Sequence, residues 1–155
     1  MAVADLSELL TNAVPMTPGL MKLSEDAEAP RWAAVFDDGT VVVVEWIPTR
    51  GMLALSADLG FPPEEHISTV QETLLVYNSL RHRTAGASMA LAEPAGELVH
   101  LCDLDRRDLT PVKLATALSD FAKQSSAWRK VVADGARIDS ALAEAASRAL
   151  DAIHR

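Results

Sequence analysis

The sequence predicts an α+β fold, in which a twisted antiparallel sheet and helices follow the order α-β-β-β-α-β-β-α, plus an extra C-terminal helix. Segments with apolar residues at three- and four-residue steps, typical of helices, are separated by short strand-like segments. Turn-forming residues lie between consecutive strand segments, which favours hairpins and antiparallel pairing. With 155 residues and 49% hydrophobic content, the chain fits one domain with a substantial core.

The N-terminal segment is predicted to form a short helix and then a loop. Pro15 and Pro18 would end the helix, because proline cannot continue a helical hydrogen-bond ladder. Thr17–Pro30 is read as a solvated loop with an acidic stretch. The helix would present one apolar face, formed by Val3, Leu6, Leu9, Leu10 and Ala13.

A β-hairpin is predicted next, because two strand-like segments, Arg31–Phe36 and Thr40–Trp46, flank an Asp-Asp-Gly turn. The sequence leaves the register of this hairpin open. A three-residue loop would exchange the partnerships of a two-residue turn. A two-residue turn at Asp38 and Gly39 would place four large side chains on one face: Trp32, Phe36, Val41 and Val43.

The second strand of this hairpin is apolar on both faces, because Val41–Val44 is an unbroken valine run. An antiparallel sheet with one solvated face should carry polar residues on that face. The surplus is therefore either covered within the fold or left as a binding surface. The next strand, Met52–Leu59, alternates, and its expected core-facing residues are Leu53, Leu55, Ala57 and Leu59.

The segment Phe61–Arg83 is predicted to form one central helix. Pro62 and Pro63 suit its first turn, and basic residues at its end suit the helix dipole. Leu75 and Leu80 widen its apolar face beyond what one sheet would cover, which indicates a second neighbour. The main apolar stripe is formed by Ile67, Val70, Leu74 and Tyr77.

The C-terminal half is predicted to contain one more hairpin and two helices. Strands at Ser88–Ala92 and Leu98–Leu104 flank a Glu-Pro-Ala-Gly turn. A helix begins at Thr110-Pro111 and ends at Gly135. The alanine-rich segment Ile138–Ile153 is predicted to form the last helix.

Composition excludes several classes of function. A net charge of −8 disfavours nucleic acid as a partner, and no apolar run is long enough for membrane insertion. The N-terminus lacks the basic region of a secretory signal, and the single cysteine, Cys102, excludes an intrachain disulfide and fits a reducing compartment. We therefore expect a cytoplasmic protein.

The sequence indicates neither an enzyme nor a metal site. The glycines stand in scattered turn positions, and the serines match no nucleophile motif. His100 and Cys102 would point the same way on a strand, but two ligands are weak evidence for a metal. Cys102 is better read as a small core residue. We expect no catalytic residue, cofactor or metal.

The chain resembles the class I chaperones of bacterial type III secretion systems, the Tir chaperone-like family, over about Leu6–Val132. The resemblance lies in the order and spacing of segments together, since no single motif is diagnostic. These segments are DLSELL, VFDDGT, VVVVEW, MLALSADLG, LLVYNSL, GASMALAEPAGELVHLCDL and LATALSDFAKQSSAW.

This resemblance implies a homodimeric cytoplasmic chaperone that binds the N-terminal segment of a secreted effector in extended form and delivers it for secretion. Residues 1–134 would form the chaperone-like domain, and 135–155 a C-terminal helical extension of it. Family dimers form largely through the second helix and the strand after it. The corresponding dimer residues here would be Leu74, Leu75, Tyr77, Asn78, Met89 and Leu91.

Effector segments in the family wrap over apolar patches on the first helix and the first strands. The effector could also add its backbone to a free sheet edge. An alternative reading keeps the fold but not secretion: a non-secretory protein-interaction or stress-response domain. The residues expected to bind the effector are Leu6, Leu10, Trp32, Phe36, Val41 and Val43.

Overall fold

The structure, a computed structural model, describes residues 3–92 and 96–135. Short 3₁₀ turns at Val14–Met16, Glu64–His66 and Arg106–Asp108 connect some of the elements. The predicted helix Ile138–Ile153 lies outside the described residues. In chain order the elements are α1 (Val3–Ala13), β1 (Leu20–Glu25), β2 (Arg31–Phe36), β3 (Val41–Ile47), β4 (Met52–Gly60), α2 (Ile67–Ser79), β5 (Ser88–Ala92), β6 (Glu97–Asp105) and α3 (Pro111–Asp134).

The six strands form one antiparallel sheet in the order β1-β2-β3-β4-β6-β5, so that β1 and β5 lie at its edges. This confirms the predicted α+β class and the predicted order of helices and strands. β1 was not expected, since it lies inside the predicted loop Thr17–Pro30, and that loop prediction is wrong. Its residues carry no clear alternation, and the strand forms because β2 supplies its hydrogen-bonding partners.

One compact unit contains, among the described residues, 3–57 and Asp103–Ser126. Its core lies on one face of the sheet, which we call the inner face. Ser7 of α1 donates a hydrogen bond of 2.9 Å to Glu25, which shares its face with Trp32, and this places α1 on the inner face. The inner face is formed by buried side chains of three strands: Trp32, Ala34, Phe36, Val42, Val44, Trp46, Leu53 and Leu55.

The second unit contains the described residues of Asp58–Cys102 and 127–135. In it α2 packs on β5 and β6, and the end of α3 completes the core. Tyr77 meets the Trp128 ring edge to face, with centroids 4.9 Å apart. This arrangement is favourable for aromatic pairs beyond the area that it buries. The core consists of Leu59, Val70, Leu74, Tyr77, Ala87, Met89, Leu98, Trp128 and Val132.

The central helix is shorter than predicted, because α2 occupies only Ile67–Ser79 of the expected Phe61–Arg83. Pro63 is extended, with ψ 141°, so it precedes the helix rather than occupying its first turn. At the other end Leu80 leaves helical geometry, and Ala85 adopts a positive φ of 52°. By contrast, α3 has its predicted bounds, and Gly135 follows it with a φ of 61°.

Candidate protein-binding surfaces

The β2–β3 hairpin has the three-residue loop, and the two-residue alternative is wrong. The Phe36 N–H donates to the Thr40 carbonyl at 2.9 Å, and Val35 lies opposite Val41. Gly39 supplies the positive φ, 84°, that such a loop requires. Adding one residue to the loop moves every side chain of β3 to the other face of the sheet relative to those of β2. Trp32 and Phe36 therefore lie on the inner face, and Val41 and Val43 on the opposite one.

The face opposite the core, which we call the outer face, is apolar at its centre. Val41 is 42% exposed, and the other central residues, Ala33, Val35, Val43 and Ala54, are half-buried. In the strand register Lys22, Val35 and Val41 form one row, and Ser24, Ala33, Val43 and Ser56 the next. Lys22, Ser24 and Ser56 are polar, but the four positions of these rows on β2 and β3 are apolar, where a solvated face would be expected to carry polar side chains. The central apolar residues of the outer face are Ala33, Val35, Val41, Val43 and Ala54.

A hollow of about 290 Å³ lies at one side of the outer face. Its floor is low because Ala33, between Ser24 and Val43 in the register, carries only a methyl group. Arg31 and Asp26 form an ion pair of 2.8 Å at its rim, and the Arg31 hydrogen bond lowers the pKa of the Asp26 carboxyl. The hollow is thus an apolar depression with a charged border.

The edge of the sheet at β1 has unused backbone groups. The Asp26 N–H donates to the Arg31 carbonyl at 2.8 Å, so alternate residues Ser24 and Lys22 also face β2. The backbone of Leu23 and Glu25 therefore points away from the sheet. An edge of this kind is a template for pairing with another chain.

A second apolar surface is formed by α2 and β5, and we call it the helix–strand patch. Leu75 is 68% exposed and Leu91 52%. Beside them runs a groove of about 240 Å³. The groove is lined by Gln71, Leu74, Leu75, Asn78, Met89, Ala90, Leu91 and Leu98.

Of the six residues predicted for a dimer interface, all but Tyr77 line this groove, and only Leu75 and Leu91 are exposed. Leu74, Tyr77 and Met89 are buried in the core of their own chain. Leu75 and Leu91 project outward. Val76 is also exposed, at 59%, but it lies on another side of α2 and does not line the groove.

The residues predicted for effector binding do not form one surface. Four of the six are between 0% and 5% exposed and contribute to the core: Leu6, Leu10, Trp32 and Phe36. Val41 and Val43 lie on the outer face. Ala33, Val35 and Ala54, which share that face, were not singled out, because their place depends on the register of the sheet.

A small polar cluster lies inside the second unit. The Tyr77 hydroxyl is 3.1 Å from His100 Nε2, and His100 is 0% exposed. Burial lowers the pKa of His100 to about 4 and raises the pKa of Tyr77 to about 12, so both are neutral at pH 7. Cys102 Sγ lies 3.9 Å from the Ala85 carbonyl. Tyr77 and His100 thus satisfy each other's polar atoms within the core.

Within residues 3–92 and 96–135, no three His, Cys, Asp or Glu side chains converge as metal ligands would. Among the same residues, no helix is long and apolar enough to cross a membrane. Two apolar surfaces and a free strand edge are the prominent features of the described residues, and such features are typical of proteins that bind other polypeptides.

The chain belongs to the Tir chaperone protein (CesT) family, whose family model matches residues 27–129. This is a family of type III secretion chaperones, as the sequence resemblance predicts. A comparison with curated protein sequences finds no match.

Solved structures share the fold at low sequence identity. The chain is similar to one in the ExsC–ExsE complex, with a TM-score of 0.69, 20% identity, and coverage of 84% of this chain and 96% of that one. It is also similar to one in the HopA1–SchA chaperone–effector complex, with a TM-score of 0.65, 18% identity, and coverage of 84% and 98%. An uncharacterized protein from Methanothermobacter thermautotrophicus matches at a TM-score of 0.50 and 10% identity, covering 84% and 94%.

Proposed function

We propose that this protein is a homodimeric chaperone that acts in the bacterial cytoplasm. It binds the N-terminal segment of a type III secreted effector in extended form and delivers it for secretion, without catalysing a reaction. Family membership supports the chaperone role, and the apolar outer face is the observation that carries the proposed binding site.

The outer face suits an extended chain rather than a folded one. An added strand would pair with the free backbone of Leu23 and Glu25 at the β1 edge. Alternate aliphatic side chains of the client would then lie beside Ser24 and Ala33, over the hollow. Val41 and Val43 continue this apolar surface across the sheet.

Charge favours a basic client. The chain carries 22 acidic and 14 basic residues, a formal net charge of −8. A negative surface attracts basic segments, speeds their association and keeps the complex soluble. Binding should therefore weaken as salt concentration rises.

The helix–strand patch supports self-association. Leu75 and Leu91 are exposed apolar side chains beside an apolar groove of their own chain. Such a surface suits an isologous interface, in which each copy places its projecting side chains on the same patch of the other. A dimer would offer two outer faces to one client and so increase avidity.

The deciding experiment is capture of the tagged protein from its native organism, followed by native mass spectrometry. We expect two copies of this chain with one larger protein, held through that protein's N-terminal segment. Limited proteolysis of the complex should protect this segment. A monomer without a polypeptide client would contradict the proposal. A client that is never secreted would favour the non-secretory interaction domain.

A further inference from the structure

The edge of the sheet at β5 differs from the edge at β1. In an antiparallel pair, alternate residues point both backbone groups away from the neighbouring strand. β5 pairs only with β6, so every second residue of β5 faces away from the sheet. These positions are Met89 and Leu91, and Ala87, directly before the strand, continues the series. Their hydrogen bonds decide whether a further strand can pair here.

Asn78 caps Met89 as a neighbouring strand would. Its Nδ2 donates to the Met89 carbonyl at 2.9 Å, and its Oδ1 accepts the Met89 N–H at 2.7 Å. An asparagine side chain carries a donor and an acceptor side by side, so it satisfies both outward groups of one residue. Another strand would have to break both bonds to reach Met89.

Thr84 caps Ala87 in a similar way. Its Oγ1 donates to the Ala87 carbonyl at 3.0 Å, and its own carbonyl accepts the Ala87 N–H at 3.0 Å. The outward backbone groups of Ala87 and Met89 are thus already hydrogen-bonded within this chain. Leu91 is the next outward position, and within the described residues no side chain caps its backbone in this way. One open position is too little for a strand ladder.

The β1 edge lacks such caps. Leu23 and Glu25 have outward backbone groups, and among residues 3–92 and 96–135 no side chain bonds to them. The contact of Ser7 with Glu25 involves the carboxylate, not the backbone. Uncapped edges accept strands, whereas capped edges are a common protection against unwanted pairing.

We propose that Asn78 and Thr84 close the β5 edge to strand pairing. Strand addition is thereby confined to β1, and the helix–strand patch docks a second copy of this chain through side chains alone. The identity of the added strand and of the second copy rests on the proposed function. The capped edge itself is a property of the single chain.

Substitution of Asn78 by Leu tests this proposal on the purified protein. Without its cap the β5 edge becomes a template, so Asn78→Leu should form assemblies that grow with concentration in light scattering. Gln71→Leu is the matched control, since Gln71 lines the same groove without capping the edge. The proposal is overturned if both variants have the assembly state of the unmodified protein.

Amide hydrogen exchange gives a second, independent readout. Loss of one hydrogen bond should speed exchange of the Met89 amide roughly tenfold in Asn78→Leu, and Gln71→Leu should leave it unchanged. If Asn78→Leu fails to fold, Thr84→Val tests the same idea, because it removes the hydroxyl that caps the Ala87 carbonyl. Its readout is the assembly state in light scattering, since the Ala87 N–H keeps its bond to the Thr84 carbonyl. Equal exchange at Met89 with and without Asn78, or an unchanged assembly state in Thr84→Val, contradicts the inference.

These measurements separate the inference from the proposed function. They need no client, so failure to capture an effector refutes the proposed function and leaves the capped edge intact. Conversely, the protein could form the expected dimer with its client while Asn78→Leu behaves like Gln71→Leu. That pair of results would refute the capped edge alone.

Discussion

His100 shows how burial sets the charge of a single residue. Its ring is fully buried, with Nε2 3.1 Å from the Tyr77 hydroxyl, and burial lowers its pKa from 6.5 to about 4. In the unfolded chain the ring would titrate near its ordinary value. Between these two values the unfolded state binds a proton that the folded state does not.

We therefore predict that stability falls as pH is lowered through this window. Stability rises with pH wherever the unfolded state binds more protons, so the His100 contribution is intact above pH 6.5 and is lost towards pH 4. The loss between pH 7.5 and pH 5 should be about 2 kcal/mol of unfolding free energy. Urea unfolding at several pH values measures it.

The control removes the titrating group but keeps a hydrogen-bonding partner for Tyr77. In His100→Gln the loss of unfolding free energy between pH 7.5 and pH 5 should be smaller by about 2 kcal/mol. His82→Gln, at an exposed position, should leave this loss unchanged. An unchanged pH profile in His100→Gln would mean that other groups cause the acid sensitivity.

At the scale of elements, the end of α3 depends on one glycine. Gly135 has a φ of 61°, and a Cβ added there would lie 2.6 to 2.8 Å from three carbon atoms of His66. One of these is the His66 Cβ, which rotation about χ1 does not move. A side chain at Gly135 would therefore strain both its own backbone and its contact with His66.

Gly135→Ala should destabilise the protein more than the same change at Gly51. Gly51 has a φ of 64° with nothing within 4 Å of the added Cβ, so it measures the backbone cost alone, about 1 kcal/mol. The excess at Gly135 reports the contact with His66, and denaturant unfolding measures both. Adding His66→Ala should remove part of the excess. Equal costs at the two glycines would show that the contact is absent in solution.

The β2–β3 hairpin shows how far sequence predicts an element. Its strands and its Asp-Asp-Gly turn were evident, because β-branched runs and turn residues act locally. The register was not evident, because a two-residue and a three-residue loop are both compatible with this sequence. The choice reverses the facing of Val41 and Val43 relative to Trp32, and so it decides which residues can bind a client.

At the scale of the whole molecule, the two apolar surfaces should be separable by mutation. Val43→Asp places a charge at the centre of the outer face and should weaken client binding at least about tenfold, leaving the dimer intact. Isothermal titration with the captured effector segment and size-exclusion chromatography measure the two properties.

Leu75→Asp should have the opposite effect. It places a charge in the helix–strand patch, where two copies would each bury one, so the dimer should dissociate. Val112→Asp is the control for both variants, since Val112 is 60% exposed on α3 and belongs to neither surface. If Val43→Asp breaks the dimer and Leu75→Asp impairs binding, the two surfaces are assigned in reverse.

The sequence by itself determined the α+β class, the order of the predicted elements and the chaperone family, because periodicity, turn residues and segment order are written along the chain. It also marked a surplus of apolar residues in the hairpin and the central helix. Only the tertiary structure decided where that surplus lies. Pairing between neighbouring segments created β1 and set the hairpin register, and packing of α2 on β5 placed Asn78 on the β5 edge. The sequence allows more than one register and more than one partner for these segments, and local patterns do not specify which one the folded chain adopts.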